Sequence, residues 1–435
     1  MVQAVPPNRS NVQACTRSSL ASVCACIYGH HNTDDRPTLA RTTLHLQSNL
    51  ARSHRAPGDM STTGAATSTA GDDRRRALQA FDDTKAGVKG LVDAGVTAVP
   101  AIFHHPPDSL PLDAPPQPHH EHRFTIPVID LAGLGTPSGR ASVVGAVREA
   151  AETVGFFQVV NHGVPEAAMS EMLAAVRRFN EEPADARAPY YSRDHGRRVR
   201  YTSNFDLFQS PAANWRDSIY IDMAPEPPAP QEIPSALRGV AEEYARLARR
   251  LYRELLELLS EALALRPGHL EEDAACLDGL NLAAHYYPAC PEPHLTVGTT
   301  RHSDPSFLTV LLQDDIGGLQ VLVDNLEEEG KSSVWVDVPA VAGALVVNVG
   351  DYLQLVSNDR FKSVEHRVVA NGAGPRVSVA CFFRTYGAAA STRVLQPIVA
   401  GGDRARYKSA TVEELLRHYR AKGLDGTSAL DHFRL

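Results

Sequence analysis

Mostly β with α is the class this sequence predicts: an antiparallel sandwich or barrel with flanking helices, preceded by a smaller α/β segment. Three observations predict it. From Leu280 onward, apolar runs of four to eight residues recur at short spacing between turn signals, as in a sandwich or barrel rather than a doubly wound sheet. A single long stripe at helical spacing lies between residues 235 and 265. Between residues 124 and 179, strand-like and helix-like runs alternate. At 435 residues, 43% apolar and 22% charged, the chain is an ordinary globular one, long enough for one large or two moderate domains.

Residues 1–59 stand apart, with six Arg, no Lys, no Glu and only Asp34, Asp35 and Asp59 as acids. They read as an unpacked extension, with an organelle transit peptide as the alternative. A cytoplasmic location is expected, or a plastid or mitochondrion if the leader is real. Residues 60–123 hold one amphipathic helix from Asp72 to Asp93 and a proline-rich linker, in which His104 and His105 read as solvated. Residues 124–234 form the N-terminal domain. It has a strand over 126–131, a helix from Ser138 to Thr153, a buried strand from Phe156 to Val160 and a helix from Pro165 to Phe179. His162, beside Gly163, reads as a satisfied turn histidine. Arg197 to Ile221 shows no period, and its Phe205, Phe208 and Trp215 either line a pocket mouth or simply pack. Residues 235–275 form a scaffold helix, with Leu237, Val240, Tyr244, Leu247, Leu251, Leu255, Leu258 and Leu259 as its buried stripe. Strands then follow at 283–287, 306–313, 319–323, 334–338, 344–349, 366–369 and 377–383, within a catalytic segment of residues 276–390. A helical tail, residues 391–435, closes the chain.

Chemistry concentrates in the strand-rich segment. His302 and Asp304 are two apart, so on extended chain an imidazole and a carboxylate face the same way. His366, on a later strand-like run, supplies a third ligand once the sheet pairs. Two imidazoles and one carboxylate on one side of a metal leave the other side open, the facial arrangement of non-haem Fe(II) oxygenases. Arg376 and Ser378 share one face of a strand that is apolar on both sides, and a buried guanidinium needs an anion. A small diacid suits that pair, which suggests 2-oxoglutarate as co-substrate. Phe382 lies on the same face and suits stacking on an aromatic substrate.

These residues also carry a resemblance. His285-Tyr286-Tyr287-Pro288, His302-x-Asp304, Gly317-Gly318-Leu319-Gln320-Val321, His366 and Arg376-x-Ser378 together resemble the plant soluble 2-oxoglutarate- and Fe(II)-dependent dioxygenases. Ile126-Pro127-Val128-Ile129-Asp130 and Gly155-Phe156-Phe157-Gln158-Val159-Val160-Asn161-His162-Gly163 resemble the N-terminal part of that family. The stretch Leu78 to Asp93 is similar to the branch called 1-aminocyclopropane-1-carboxylate oxidase homologues, which includes benzoxazinoid-glucoside dioxygenases. The resemblance implies a double-stranded β-helix (jelly roll) core, Tyr287 as a further contact to the co-substrate, and ascorbate as reductant. It also implies O2 and a small-molecule substrate, hydroxylated or desaturated while 2-oxoglutarate becomes succinate and CO2. Phe382, Phe205 and Phe208 are the candidate substrate contacts. His285 departs from the Asn common at that position.

Three rivals are set against this reading: an ascorbate-dependent, ethylene-forming oxidase, a non-catalytic jelly-roll binder and a structural zinc site. The first lacks its basic C-terminal helix in Thr411 to Lys422, and the third lacks a fourth ligand. A net charge of −8 argues against nucleic acid or anionic membrane as partner, and no apolar run reaches a spanning length. Six scattered cysteines fit a reducing compartment, and a monomer is expected.

Overall fold

The computed structural model describes residues 70–110, 125–324, 333–384, 392–399, 402–424 and 427–435. Residues 1–59, with their expected extension or transit peptide, and most of the proline-rich linker lie outside them. Residues 68–435 form one compact unit. Its centre is a jelly roll of two facing sheets, the larger in the order β1-β2-β10-β7-β12-β5-β4-β3 and the smaller β6-β11-β8-β9. The first four strands are β1 (Val128–Asp130), β2 (Phe156–Val160), β3 (Val199–Ser203) and β4 (Asp217–Ala224). After them come β5 (Leu280–Tyr287), β6 (Val297–His302), β7 (Leu308–Gln313) and β8 (Leu319–Asp324). The last are β9 (Ser333–Asp337), β10 (Leu345–Val349), β11 (His366–Val369) and β12 (Arg376–Phe383). Segments 124–234 and 276–390 thus contribute strands to the same large sheet.

Period-two alternation gives that sheet two unlike faces. Tyr201, Ile219, Ile221, Leu282, Val310, Val347, Val377, Val379, Cys381 and Phe383 point outward and are buried. They meet three helices: α3 (Pro137–Thr153), α4 (Glu166–Glu181) and α5 (Val240–Ala262). Helix α4 lies on β5, β7 and β12, and α5 packs across α3 and α4. Leu255, Leu256, Leu258 and Leu259 of α5 are fully buried, and each contributes about 1.5–3 kcal/mol by leaving water. The opposite face carries Arg200, Thr202, Ser218, Tyr220, Asn281, His285, Arg376, Ser378, Thr309 and Asn348 in register across six strands. The apolar side glues; the polar side looks into the jelly roll.

Four expectations need correction. Residues 197–221 are not aperiodic loop but contain β3 and the start of β4, whose register Ser218↔His285 and Tyr220↔Ala283 extends the sheet by two strands. The helix expected over 72–93 is two, α1 (Ala70–Asp83) and α2 (Gly87–Asp93), broken where Lys85 and Gly87 take positive φ. The cause is tertiary: the Asp217 carboxylate accepts from the Val88 and Lys89 amides (both 2.8 Å), capping α2 from a distant strand. A Cβ on Gly87 would sit 2.4 Å from Asp217 Oδ1, so only glycine fits there. The long helix begins at Val240 rather than Ser235, behind Gly239, whose amide is taken by Glu242 (2.6 Å). His105 is buried rather than solvated, with Nε2 on the Ala213 carbonyl (3.1 Å). His162 is satisfied as expected: Nδ1 accepts from Val164 N and Nε2 donates to Gly343 O. No helix among the described residues is long and apolar enough to cross a membrane.

Candidate active site

Strand β6 ends at His302 and β11 begins at His366, and the two residues face each other across the pair. Their rings lie 4.3 Å apart. Each Nδ1 donates to a backbone carbonyl, His302 to Thr300 O (2.8 Å) and His366 to Val364 O (3.2 Å). Since carbonyls only accept, both Nε2 atoms keep free lone pairs. Each lies 3.6 Å from Asp304 Oδ1. Asp304 Oδ2 is occupied by Thr309 Oγ1 (2.6 Å) and Asn348 Nδ2 (2.8 Å), which turns Oδ1 toward the imidazoles. Three lone pairs therefore face one small space with no hydrogen bond between them, and a cation satisfies all three.

The electrostatics agree with a metal site. Burial, and then the neighbouring His366, push the His302 imidazole down to about 3, so it is neutral at physiological pH. Burial alone would raise the Asp304 carboxyl, but the two imidazoles and the Thr309 and Asn348 hydrogen bonds outweigh it and hold it below the ordinary value. Neutral nitrogen and ionised oxygen are the donor forms Fe(II) takes. Among the described residues only these three His, Cys, Asp or Glu side chains gather in this way, so the shell is open rather than a closed four-ligand zinc set. One detail differs from the sequence argument. Asp304 lies two residues beyond the end of β6, so Thr309 and Asn348 aim it, not strand alternation.

On β12, Arg376 is fully buried, donating from Nη1 to Ser378 Oγ (2.9 Å) and from Nη2 to Gln313 Oε1 (2.8 Å). Its Nε has no partner. Both hydrogen-bond partners are neutral, and the Asp314 carboxylate, on which the guanidinium also acts, accepts from the Val377 amide rather than from Arg376. The Tyr287 ring lies 5.1 Å from it, and the Tyr287 hydroxyl shares a hydrogen bond with Thr299 (3.2 Å). Burial would raise that phenol, yet Arg216 and Arg376 beside it hold it below its ordinary value. Gly298 makes room: a Cβ there would meet the Tyr287 ring at 2.8 Å.

A cavity of about 890 Å³, counting the solvent-open space at its mouth, reaches His302 and Asp304. Phe382 and Phe205 line it as expected. Phe208 does not: it is exposed, 5.4 Å from the Arg193 guanidinium. Trp215 packs instead, between Phe103 and the Pro288 carbonyl. His285, also in the lining, is bonded to Ser218 Oγ through Nδ1 (2.8 Å). Burial first, then Arg216, Arg376 and His302, hold it well below the ordinary imidazole value. Sequence reasoning missed Arg200, Arg216, Tyr220 and Thr299 on the wall, and Leu416, Tyr419 and Arg420 of the C-terminal helix α6 (Val412–Lys422). Alternation in β4 opposite His285 was the available signal for Tyr220. Nothing local marks the α6 residues, because Tyr419 reaches the wall by stacking on Phe205 from a distant segment.

Comparisons with known proteins agree with this geometry. Residues 279–385 match the 2OG-Fe(II) oxygenase superfamily, and residues 126–239 match the N-terminal region of the non-haem dioxygenases in morphine synthesis. The chain is 50% identical over 367 residues to 1-aminocyclopropane-1-carboxylate oxidase homolog 1 of Arabidopsis thaliana, covering 83% of this chain and 97% of the other. It is 46% identical over 368 residues to deacetoxyvindoline 4-hydroxylase of Catharanthus roseus, covering 83% and 89%. Among solved structures it is similar to JOX2 in complex with 2OG, Fe and JA, with 29% identity, a TM-score of 0.69 and coverage of 80% and 97%.

Proposed function

The chain belongs to the 2-oxoglutarate- and Fe(II)-dependent oxygenases, and from that premise we propose that it hydroxylates or desaturates a small specialised metabolite. An aromatic or glycosylated compound such as a benzoxazinoid glucoside is the substrate class this reading favours. The observation that carries the catalytic assignment is the convergence of His302 Nε2, His366 Nε2 and Asp304 Oδ1 within 4.8 Å of one another, beside an open cavity that His302 and Asp304 line.

In this reading His302, Asp304 and His366 hold the iron. Arg376, Ser378 and Tyr287 hold the distal carboxylate of 2-oxoglutarate, two N–H groups and two hydroxyls giving both charge and register. When bound, Fe(II), 2-oxoglutarate and O2 supply oxidative decarboxylation to succinate and CO2, coupled to oxidation of a substrate C–H bond. The protein's own part is placement. Thr309 and Asn348 fix the carboxylate ligand, and the Thr300 and Val364 carbonyls fix the imidazole tautomers. Phe382, Phe205 and Tyr419 give the substrate apolar surface and keep water from its reacting bond.

The test is oxygen uptake and succinate formation by the full chain with Fe(II), ascorbate and 2-oxoglutarate, over a panel of benzoxazinoid glucosides, flavonoids and aminocyclopropane carboxylate. Substrate-stimulated succinate is expected. Ethylene released without 2-oxoglutarate would instead establish the ascorbate-dependent oxidase, and iron-loaded protein that consumes no 2-oxoglutarate would leave a binding module.

A further inference from the structure

The cavity wall is rich in positive charge. Its lining includes Arg193, Arg200, Arg216, Arg384 and Arg420, whereas Asp304, a metal ligand, is its only acid. Two of these cations are already balanced: Arg193 by Asp82 (2.6 Å) and Arg200 by Asp222 (3.4 Å). Arg216 is not. It is 4% exposed, its hydrogen-bond partners are the neutral hydroxyls of Thr299 (2.9 Å from Nη1) and Tyr287, and its Nε has no partner. The buried Asp206 carboxylate acts on it electrostatically but forms no ion pair with it: Oδ2 is taken by the Ser210 hydroxyl and the Leu424 amide, and Oδ1 has no hydrogen-bond partner. Arg420, exposed on α6, forms no ion pair among the described residues. The same field appears at His195 on the rim, where burial, and then Arg420 and Arg200, lower the imidazole.

A buried guanidinium without an anion is costly, and the cavity's inner end has none to spare. Iron(II), Asp304, Arg376 and a dianionic co-substrate cancel one another in charge. The remaining wall is apolar and flat: Phe382, Tyr220, and Phe205 stacked on Tyr419 with ring planes 13° apart. We propose that the substrate is an organic acid with a flat apolar body, its carboxylate held by Arg216 with help from Arg420. This rests on the dioxygenase reading of the site and narrows its substrate from aromatic compounds at large to anionic ones.

The experiment measures binding by calorimetry to the full chain loaded with Fe(II) and 2-oxoglutarate in the absence of oxygen. The probes are cinnamate, phenylacetate and naphthalene-2-carboxylate, each against its methyl ester. At least one acid should bind about tenfold or more tightly than its ester, the scale of a charge-assisted hydrogen bond. Arg216→Gln should erase that preference, and because Arg216 adjoins Tyr287 the KM for 2-oxoglutarate in uncoupled succinate formation is read beside it and should change by a smaller factor than the acid preference. Arg216→Lys should keep part of it, and Arg420→Gln, a surface change, should narrow it by a smaller factor. Equal affinity for acids and esters overturns the proposal, as does no binding of any acid at millimolar concentration. So does Arg216→Gln that weakens 2-oxoglutarate with the acid preference intact, because the guanidinium then serves the co-substrate. If Arg216→Gln does not fold, an unchanged preference in Arg420→Gln overturns it. Acid-selective binding with no substrate-stimulated succinate would count against the dioxygenase reading alone, whereas succinate stimulated equally by esters and neutral glucosides would count against the acid alone.

Discussion

At the inner end of the cavity each functional side chain is fixed by a second one: Asp304 by Thr309 and Asn348, Arg376 by Ser378 and Gln313. Elsewhere on the wall, Arg216 meets only the neutral hydroxyls of Thr299 and Tyr287, and Arg420 has no ion pair among the described residues. Pre-positioned groups suit partners that never change, a metal and a diacid, since the cost of ordering is met on folding. Loosely held groups suit a substrate that arrives and leaves. Substitutions should therefore separate the two ends, with inner changes striking iron and 2-oxoglutarate and outer changes striking substrate alone.

The largest effect is expected from Asp304→Ala, which removes the one carboxylate of the proposed ligand set and leaves the imidazoles of His302 and His366. Iron content and turnover should both fall to background; full activity would break the assignment. Next comes Asn348→Ala. It leaves the ligands intact but frees Asp304 Oδ2 from one of its two donors, and should weaken iron binding by about 10–100-fold in a competition with a chelator. Arg376→Lys keeps the charge but loses the fork to Ser378 and Gln313. The KM for 2-oxoglutarate should rise by about tenfold or more while iron stoichiometry stays at one.

The inner end was also the part legible in sequence. His302-x-Asp304 and Arg376-x-Ser378 are local spacings, and His366 needed only one strand pairing. The late strands were legible for the same reason, since alternation with a fully apolar outward face leaves its mark on every second residue. The outer wall was not, because it is assembled from β3, β4 and α6, which lie hundreds of residues apart in places. The β3–β4 stretch hides its period because both faces are buried, one apolar and one polar and aromatic. The break between α1 and α2 was invisible because Asp217, 130 residues away from Gly87 in the chain, creates it. Arg216 sits beside that same Asp217, so the anchor for α2 and the unbalanced guanidinium come from adjacent residues of one strand entry.

The smallest effect sharpens the comparison from the scaffold side. Asp82 of α1 receives Arg193 Nε (2.8 Å) and Nη2 (2.6 Å) and the Tyr191 hydroxyl, which ties the N-terminal helix to the cavity wall. Burial would raise its carboxyl, but the Arg193 and Tyr191 hydrogen bonds outweigh burial and hold it below the ordinary carboxylate value. A carboxyl lower in the folded than in the unfolded chain adds stability that is fully present above the unfolded value. That stability is lost as pH falls through the folded one. The melting temperature of the Asp82→Asn protein should therefore lie about 1–3 °C below the parent near neutral pH, with the gap closing as the buffer is taken to about pH 3. Because Asp82 touches only the outer wall, the KM for 2-oxoglutarate should not move in this variant, while the KM for substrate should rise through the freed Arg193. A shift in 2-oxoglutarate affinity instead would mean that the two ends of the cavity are mechanically one, coupled through the sheet face that Arg200, Tyr220, His285 and Ser378 share.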